Sequence, residues 1–142
     1  MKILLAVDGS KDSLGAVSSL IEHAGWFKER PKICLTYVHL PVPKIGAFGG
    51  GPSKEALANY YREEGEVALA KAVKLLDKAK IPHEDAILVG EPGATICKHA
   101  ANEKCDMIYM GTRGMGAAAN LLLGSIATKV LHNASVPVML VR

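Results

Sequence analysis

The sequence predicts an α/β fold: an open parallel five-stranded sheet of Rossmann-like type, with helices on both faces, in one domain spanning residues 1–142. Three observations point there. Short apolar runs alternate along the chain with stretches of helical periodicity. The runs are continuously apolar, as strands covered on both faces are. Polar, glycine-bearing turns follow the first and fourth runs, at the strand ends where open α/β sheets hold ligands.

The first run, Lys2 to Val7, ends at Asp8-Gly9-Ser10. Ser10 is a helix N-cap residue, and Leu14, Val17, Leu20, Ile21 and Ala24 then recur at helical spacing to about Phe27. Pro31 stops that helix, and Ile33 to Val38 is the second strand. Pro41 to Pro52 is too rich in glycine and proline for a regular element and reads either as a flap over a site or as a linker. A long amphipathic helix from Ser53 to about Lys80 turns Leu57, Tyr61, Ala68, Ala72, Leu75, Leu76 and Ala79 inward. His83-Glu84-Asp85 leads into a third strand, Ala86 to Gly90, whose polar start marks a sheet edge. Pro92 suits the first position of the next helix, which runs to about Lys104. Asp106 to Met110 is the fourth strand, Leu121-Leu122-Leu123, Ile126, Val130 and Leu131 line the inner side of a last helix, and Val138 to Val141 closes the chain as a fifth strand.

Composition excludes several classes. The net charge of +3 is the balance of 17 basic and 14 acidic residues spread along the chain, so neither nucleic acid nor an anionic membrane surface is an expected partner. No segment approaches the ~20 apolar residues of a membrane span, and the short N-terminal run is no signal peptide. The three cysteines, Cys34, Cys97 and Cys105, stand among apolar residues and read as buried thiols of a reducing compartment. A cytoplasmic protein is the expectation. The scattered histidines have no ligand spacing, and Trp26, Phe27, Tyr60 and Tyr61 read as packing residues.

The stretch with chemistry is Met110-Gly111-Thr112-Arg113-Gly114, with Gly116 just beyond and Gly124-Ser125-Ile126 after nine intervening residues from Gly114. A strand, a glycine loop and a helix start form an anion site. Glycines let backbone N–H groups approach closely, and the first N–H groups of a helix point at the ligand with the favourable end of its dipole. If the first and fourth strands are neighbours, Asp8 faces this loop across a crevice and the strand order is 3-2-1-4-5. Phosphates would then lie on Gly111, Gly114, Gly124 and Ser125, Asp8 near the ribose or a phosphate-bound cation, and adenine against the backbone of Val38.

These residues, with Ile3-Leu4-Leu5-Ala6-Val7-Asp8-Gly9-Ser10 and the closing Val136-Pro137-Val138-Met139-Leu140-Val141-Arg142, resemble the universal stress protein family over essentially the whole chain. The glycine pattern is the one associated with its ATP-binding branch. The resemblance implies dimerisation and bound ATP; a magnesium ion is a candidate for the phosphate-bound cation near Asp8. It puts Ala6, Val7 and Asp8 at base and ribose, Val38 at adenine, and Met110, Gly111, Arg113, Gly114, Gly116, Gly124, Ser125 and Ile126 at ribose and phosphates. Ala117-Ala118-Ala119 departs from the Ser and basic residue of many relatives. The fifth strand's free edge invites two-fold pairing with a second copy.

The expected role is that of a nucleotide-linked regulator or interaction module in stress response. Two other readings stand beside it: an α-hydrolase-type or slow ATP-cleaving enzyme, and an interaction dimer with an empty site. The first of these is weakened because Asp8-Gly9-Ser10-Lys11-Asp12-Ser13 lacks the glycine pair of those enzymes, and because no lysine-bearing phosphate loop is present.

Overall fold

A computed structural model describes residues 1–43, 51–115 and 122–142. Five strands, β1 (Lys2–Ala6), β2 (Lys32–His39), β3 (His83–Val89), β4 (Met107–Gly111) and β5 (Val138–Val141), alternate with four α-helices, α1 (Lys11–Glu22), α2 (Lys54–Lys78), α3 (Pro92–Asn102) and α4 (Ser125–Asn133). All strand pairings are parallel and the order is β3-β2-β1-β4-β5. The sheet is therefore the predicted one, with β3 and β5 at its edges.

The pleat divides the core. Ile3, Leu5, Val7, Ile33, Leu35 and Tyr109 point to the face covered by Ala16, Val17 and Leu20 of α1 and Leu69, Ala72 and Leu76 of α2. The alternate residues Leu4, Ala6, Cys34, Ile108 and Met110 point to the other face, under Ile96 and Ala100 of α3 and Ala127 and Val130 of α4. Burying a full aliphatic side chain in such a layer contributes about 1.5–3 kcal/mol, so these two clusters hold the sheet in place.

Several sequence expectations are corrected. β3 begins at His83, because its polar residues pair with Ile33, Cys34 and Leu35 at the sheet edge, where their side chains reach solvent. Leu122 and Leu123 are exposed and precede α4, and Leu131 lies on its outer side, 46% exposed. Trp26 is no packing residue of the core but 74% exposed, its ring tilted against His23. In α2 the buried positions are Gly65, Leu69, Ala72 and Leu76. The glycine at 65 is required by close approach, since a Cβ there would lie 2.5 Å from an Ile87 methyl.

Cys34 and Cys105 are buried and Cys97 half-buried, all three as free thiols. Burial pushes the Cys105 thiol up to about 11. No helix among the described residues is long and apolar enough to cross a membrane. Gly116, Ala117-Ala118-Ala119, Leu121 and the middle of the Pro41 to Pro52 loop lie outside the described residues.

Candidate functional site

Where β1 and β4 run side by side and the chain leaves them in opposite directions, a cavity of about 380 Å³ opens beyond their carboxyl ends. That size is ordinary for a small-molecule site. Each described residue singled out from the sequence lines it: Ala6, Val7, Asp8, Val38, Met110, Gly111, Arg113, Gly114, Gly124, Ser125 and Ile126.

One wall is apolar. Ala6, Val38 and Met110 project from three adjacent strands, and Pro92 and Ile96 of α3 close it from above. Val38 has its peptide groups turned toward β1. The β1–β2 ladder stops at Ala6 and Thr36, and Val7 N–H donates to Thr36 O at 2.9 Å, so two residues further on β1 has already turned away. An edge-on heterocycle needs such an extended-backbone donor and acceptor.

The opposite wall is polar and built from main chain. Helices α1, α2 and α3 have their first N–H groups capped by the side chains of Ser10, Ser53 and Glu91. Helix α4 starts on Gly124, which has no side chain to cap it. Its first N–H groups have no partner within the helix, and the residues that carry them, Ser125, Ile126 and Ala127, line the cavity. Gly124 itself is tied to β4 by donating its N–H to Thr112 O at 2.8 Å.

Asp8 lies between the two walls. Its Oδ1 accepts from Ser10 N at 3.0 Å and its Oδ2 from Met115 N at 2.8 Å, while its own N–H donates to Ser13 Oγ at 3.4 Å. Burial pushes this carboxyl up, but hydrogen bonds from Ser10, Met115 and Ser13 outweigh burial and hold it below its ordinary value. It is an anion at neutral pH. Arg113 donates through Nε to Asp12 Oδ2 at 2.8 Å, fastening the glycine loop to the first turn of α1.

The glycines differ in purpose. A Cβ at Gly111 would stand 2.9 Å from backbone atoms of Asp12, so this glycine lets α1 pack on β4. A Cβ at Gly114 would stand 2.5 Å from Asp8 Oδ2, inside the cavity. Thr112, 8% exposed, also lines the cavity, and its Oγ1 has no hydrogen-bond partner among the described residues.

Sequence reasoning missed Ser13, Thr36, Pro92, Ile96, Thr112, Met115 and Ala127 as lining residues. Thr36 was within reach of it, since two residues before Val38 on one strand means the same face. Ile96 was not: only the packing of α3 brings it over the strand ends.

Fold and cavity together define a doubly wound α/β protein with a ligand crevice at the point where its strand order reverses. A model of the Universal stress protein family matches residues 1–142, and the chain belongs to that family. It is 37% identical over 141 residues to a universal stress protein of Thermus aquaticus, covering 99% of this chain and 97% of that one. It is 34% identical over 141 residues to one of Methanocaldococcus jannaschii, covering 99% and 81%. The solved universal stress protein of Archaeoglobus fulgidus in complex with dAMP is 25% identical, covers 100% of this chain and 98% of that one, and superposes with a TM-score of 0.65.

Proposed function

We propose that this protein is a cytoplasmic, ATP-binding regulator of the stress response, working as a homodimer. The observation that carries the reading is the uncapped first turn of α4 facing an apolar wall across one cavity. Only a ligand with an anionic tail and a flat apolar head uses both. The dAMP complex of the Archaeoglobus fulgidus relative supports an adenine nucleotide in particular.

In this reading the base lies between Val38, Ala6 and Met110, and its edge meets the Val38 backbone. The ribose is near Val7 and Asp8. The phosphates take the N–H groups of Ser125 and Ile126 and the loop of Gly111, Arg113, Gly114 and Gly116. Among the described residues no group of three His, Cys, Asp or Glu side chains is placed to hold a metal ion, so a magnesium ion would arrive with the phosphates and find Asp8 as its protein carboxylate.

Asp8 is also the lone carboxylate among the described lining residues, and each of its oxygens already accepts a backbone hydrogen bond, from Ser10 and from Met115. Among the described lining residues no carboxylate is left free to act as a base for water attack, which favours a regulator over a hydrolase. Nucleotide binding would bias which arrangement of the surrounding loops a partner meets. The dimer would form through β5, whose outer side has no strand beside it in the sheet.

Incubation of the purified protein with ATP, followed by chromatographic analysis of the bound and released nucleotide, tests this. Retained intact ATP is the expected result. AMP with pyrophosphate would identify a hydrolase, and no bound nucleotide at millimolar ATP would overturn the reading.

A further inference from the structure

Asp8 occupies an unusual place for a residue expected to welcome a phosphate chain. Its Oδ2 lies 2.8 Å from Met115 N, the first amide beyond Gly114, and only 2.5 Å from where a Gly114 Cβ would stand. The carboxylate thus lies flat against the glycine loop, at the distance an anionic oxygen takes from a backbone donor. It is secured from behind by Ser10 N at 3.0 Å. Among the described residues the first turn of α4 has no such occupant, because Gly124 supplies no capping side chain.

We infer that Asp8 is the residue by which this site discriminates nucleotides by phosphate number: its carboxylate fills the anion position of the glycine loop, and a nucleotide with more than one phosphate binds by displacing it. The inference rests on the nucleotide reading above. A monophosphate needs one anion pocket and finds it at the N–H groups of Ser125 and Ile126. A longer chain must also lie along Gly114 and Met115. There it meets a fixed negative charge on the donor it requires, and the carboxylate must give up a charge-assisted hydrogen bond before a phosphate oxygen takes its place.

The test compares AMP and ATP by titration calorimetry in EDTA, on the wild type and Asp8→Ala. Removing the carboxylate should lower the ratio of the ATP to the AMP dissociation constant by roughly tenfold or more, mainly through tighter ATP. A second readout separates displacement from repulsion at a distance. Before nucleotide is added, the Met115 amide resonance should follow the acid titration of the Asp8 carboxyl. That dependence should persist with AMP and vanish with ATP. An unchanged ratio in Asp8→Ala, or a Met115 amide that tracks Asp8 equally with both nucleotides, overturns the inference while leaving nucleotide binding standing. Failure of the wild type to bind either nucleotide would instead overturn the reading on which it rests.

Discussion

Alanine at Gly111 and at Gly114 should break different things, although the two glycines belong to one loop. A Cβ at Gly111 meets the Asp12 carbonyl carbon and oxygen at 2.9 Å and the Ser13 nitrogen at 3.1 Å. These are backbone atoms at the start of α1, and they yield only if the helix moves off β4. Overpacking of this kind costs about 1–3 kcal/mol, which for a chain of this length lowers the melting temperature by roughly 2–12 °C. Among the described residues a Cβ at Gly114 meets only Asp8, Oδ2 at 2.5 Å and Cγ at 3.5 Å. That carboxylate can swing aside at a cost of about one hydrogen bond, ~1 kcal/mol. The Cβ would then stand where a phosphate oxygen has to approach, and ATP affinity should fall roughly tenfold or more. Thermal unfolding by circular dichroism and ATP titration calorimetry, run on both variants, give the comparison. Gly114→Ala melting as low as Gly111→Ala with its ATP affinity intact would refute the assignment of separate roles.

His83 offers a pH dependence with a definite sign. Burial opposes its imidazolium, but hydrogen bonds to Asp85 and Asp77 outweigh burial and raise its pKa above the ordinary 6.5. Its stabilising effect is thus complete below that value and lost as the pH rises through the higher folded value. Both acids are largely solvated, so urea unfolding should find less than about 1 kcal/mol, and His83→Gln should abolish this pH dependence. Thr112→Val should raise the unfolding free energy by about 1 kcal/mol in the same assay, because it removes a buried hydroxyl without a partner among the described residues; a loss would mean that the hydroxyl is satisfied. In β5, the register Ile108↔Val138 with Ile108 N–H donating to Pro137 O turns the peptide groups of 137, 139 and 141 toward β4, leaving those of Val138 and Leu140 outward. Leu140→Pro should therefore dissociate the proposed dimer in sedimentation, and a dimer of unchanged strength would remove β5 as the contact.

The sheet was legible because its signals are local and repeated. Ile3-Leu4-Leu5 and Ile33-Cys34-Leu35 are apolar without alternation since both faces are covered, and the polar turns after β1 and β4 identify the pair of strands that must adjoin. Sequence misjudged places where periodicity alone cannot find the boundary. Leu121-Leu122-Leu123 is as apolar as a helix face, yet α4 begins at Ser125, so Leu122 and Leu123 fall outside the packed turns. In α2 the face that packs is centred on Gly65, Leu69, Ala72 and Leu76, rotated slightly from the one periodicity suggested, so Leu69 is in the core and Leu75 is half-buried.

The site was legible where backbone chemistry dictates residue type, as at Gly114 and Gly124. It was illegible where a tertiary contact decides. The Gly111 glycine serves α1 as well as the cavity, and the Asp8 carboxylate lies on Met115, 107 residues away in sequence. Neither follows from spacing.

A crystal structure of the protein grown with ATP tests the central claim most directly. The account predicts the base against Ala6, Val38 and Met110, a phosphate on the N–H groups of Ser125 and Ile126, and the Asp8 carboxylate withdrawn from Met115. Nucleotide bound elsewhere on the surface, with Asp8 still on Met115 and the α4 first turn facing only solvent, would contradict it.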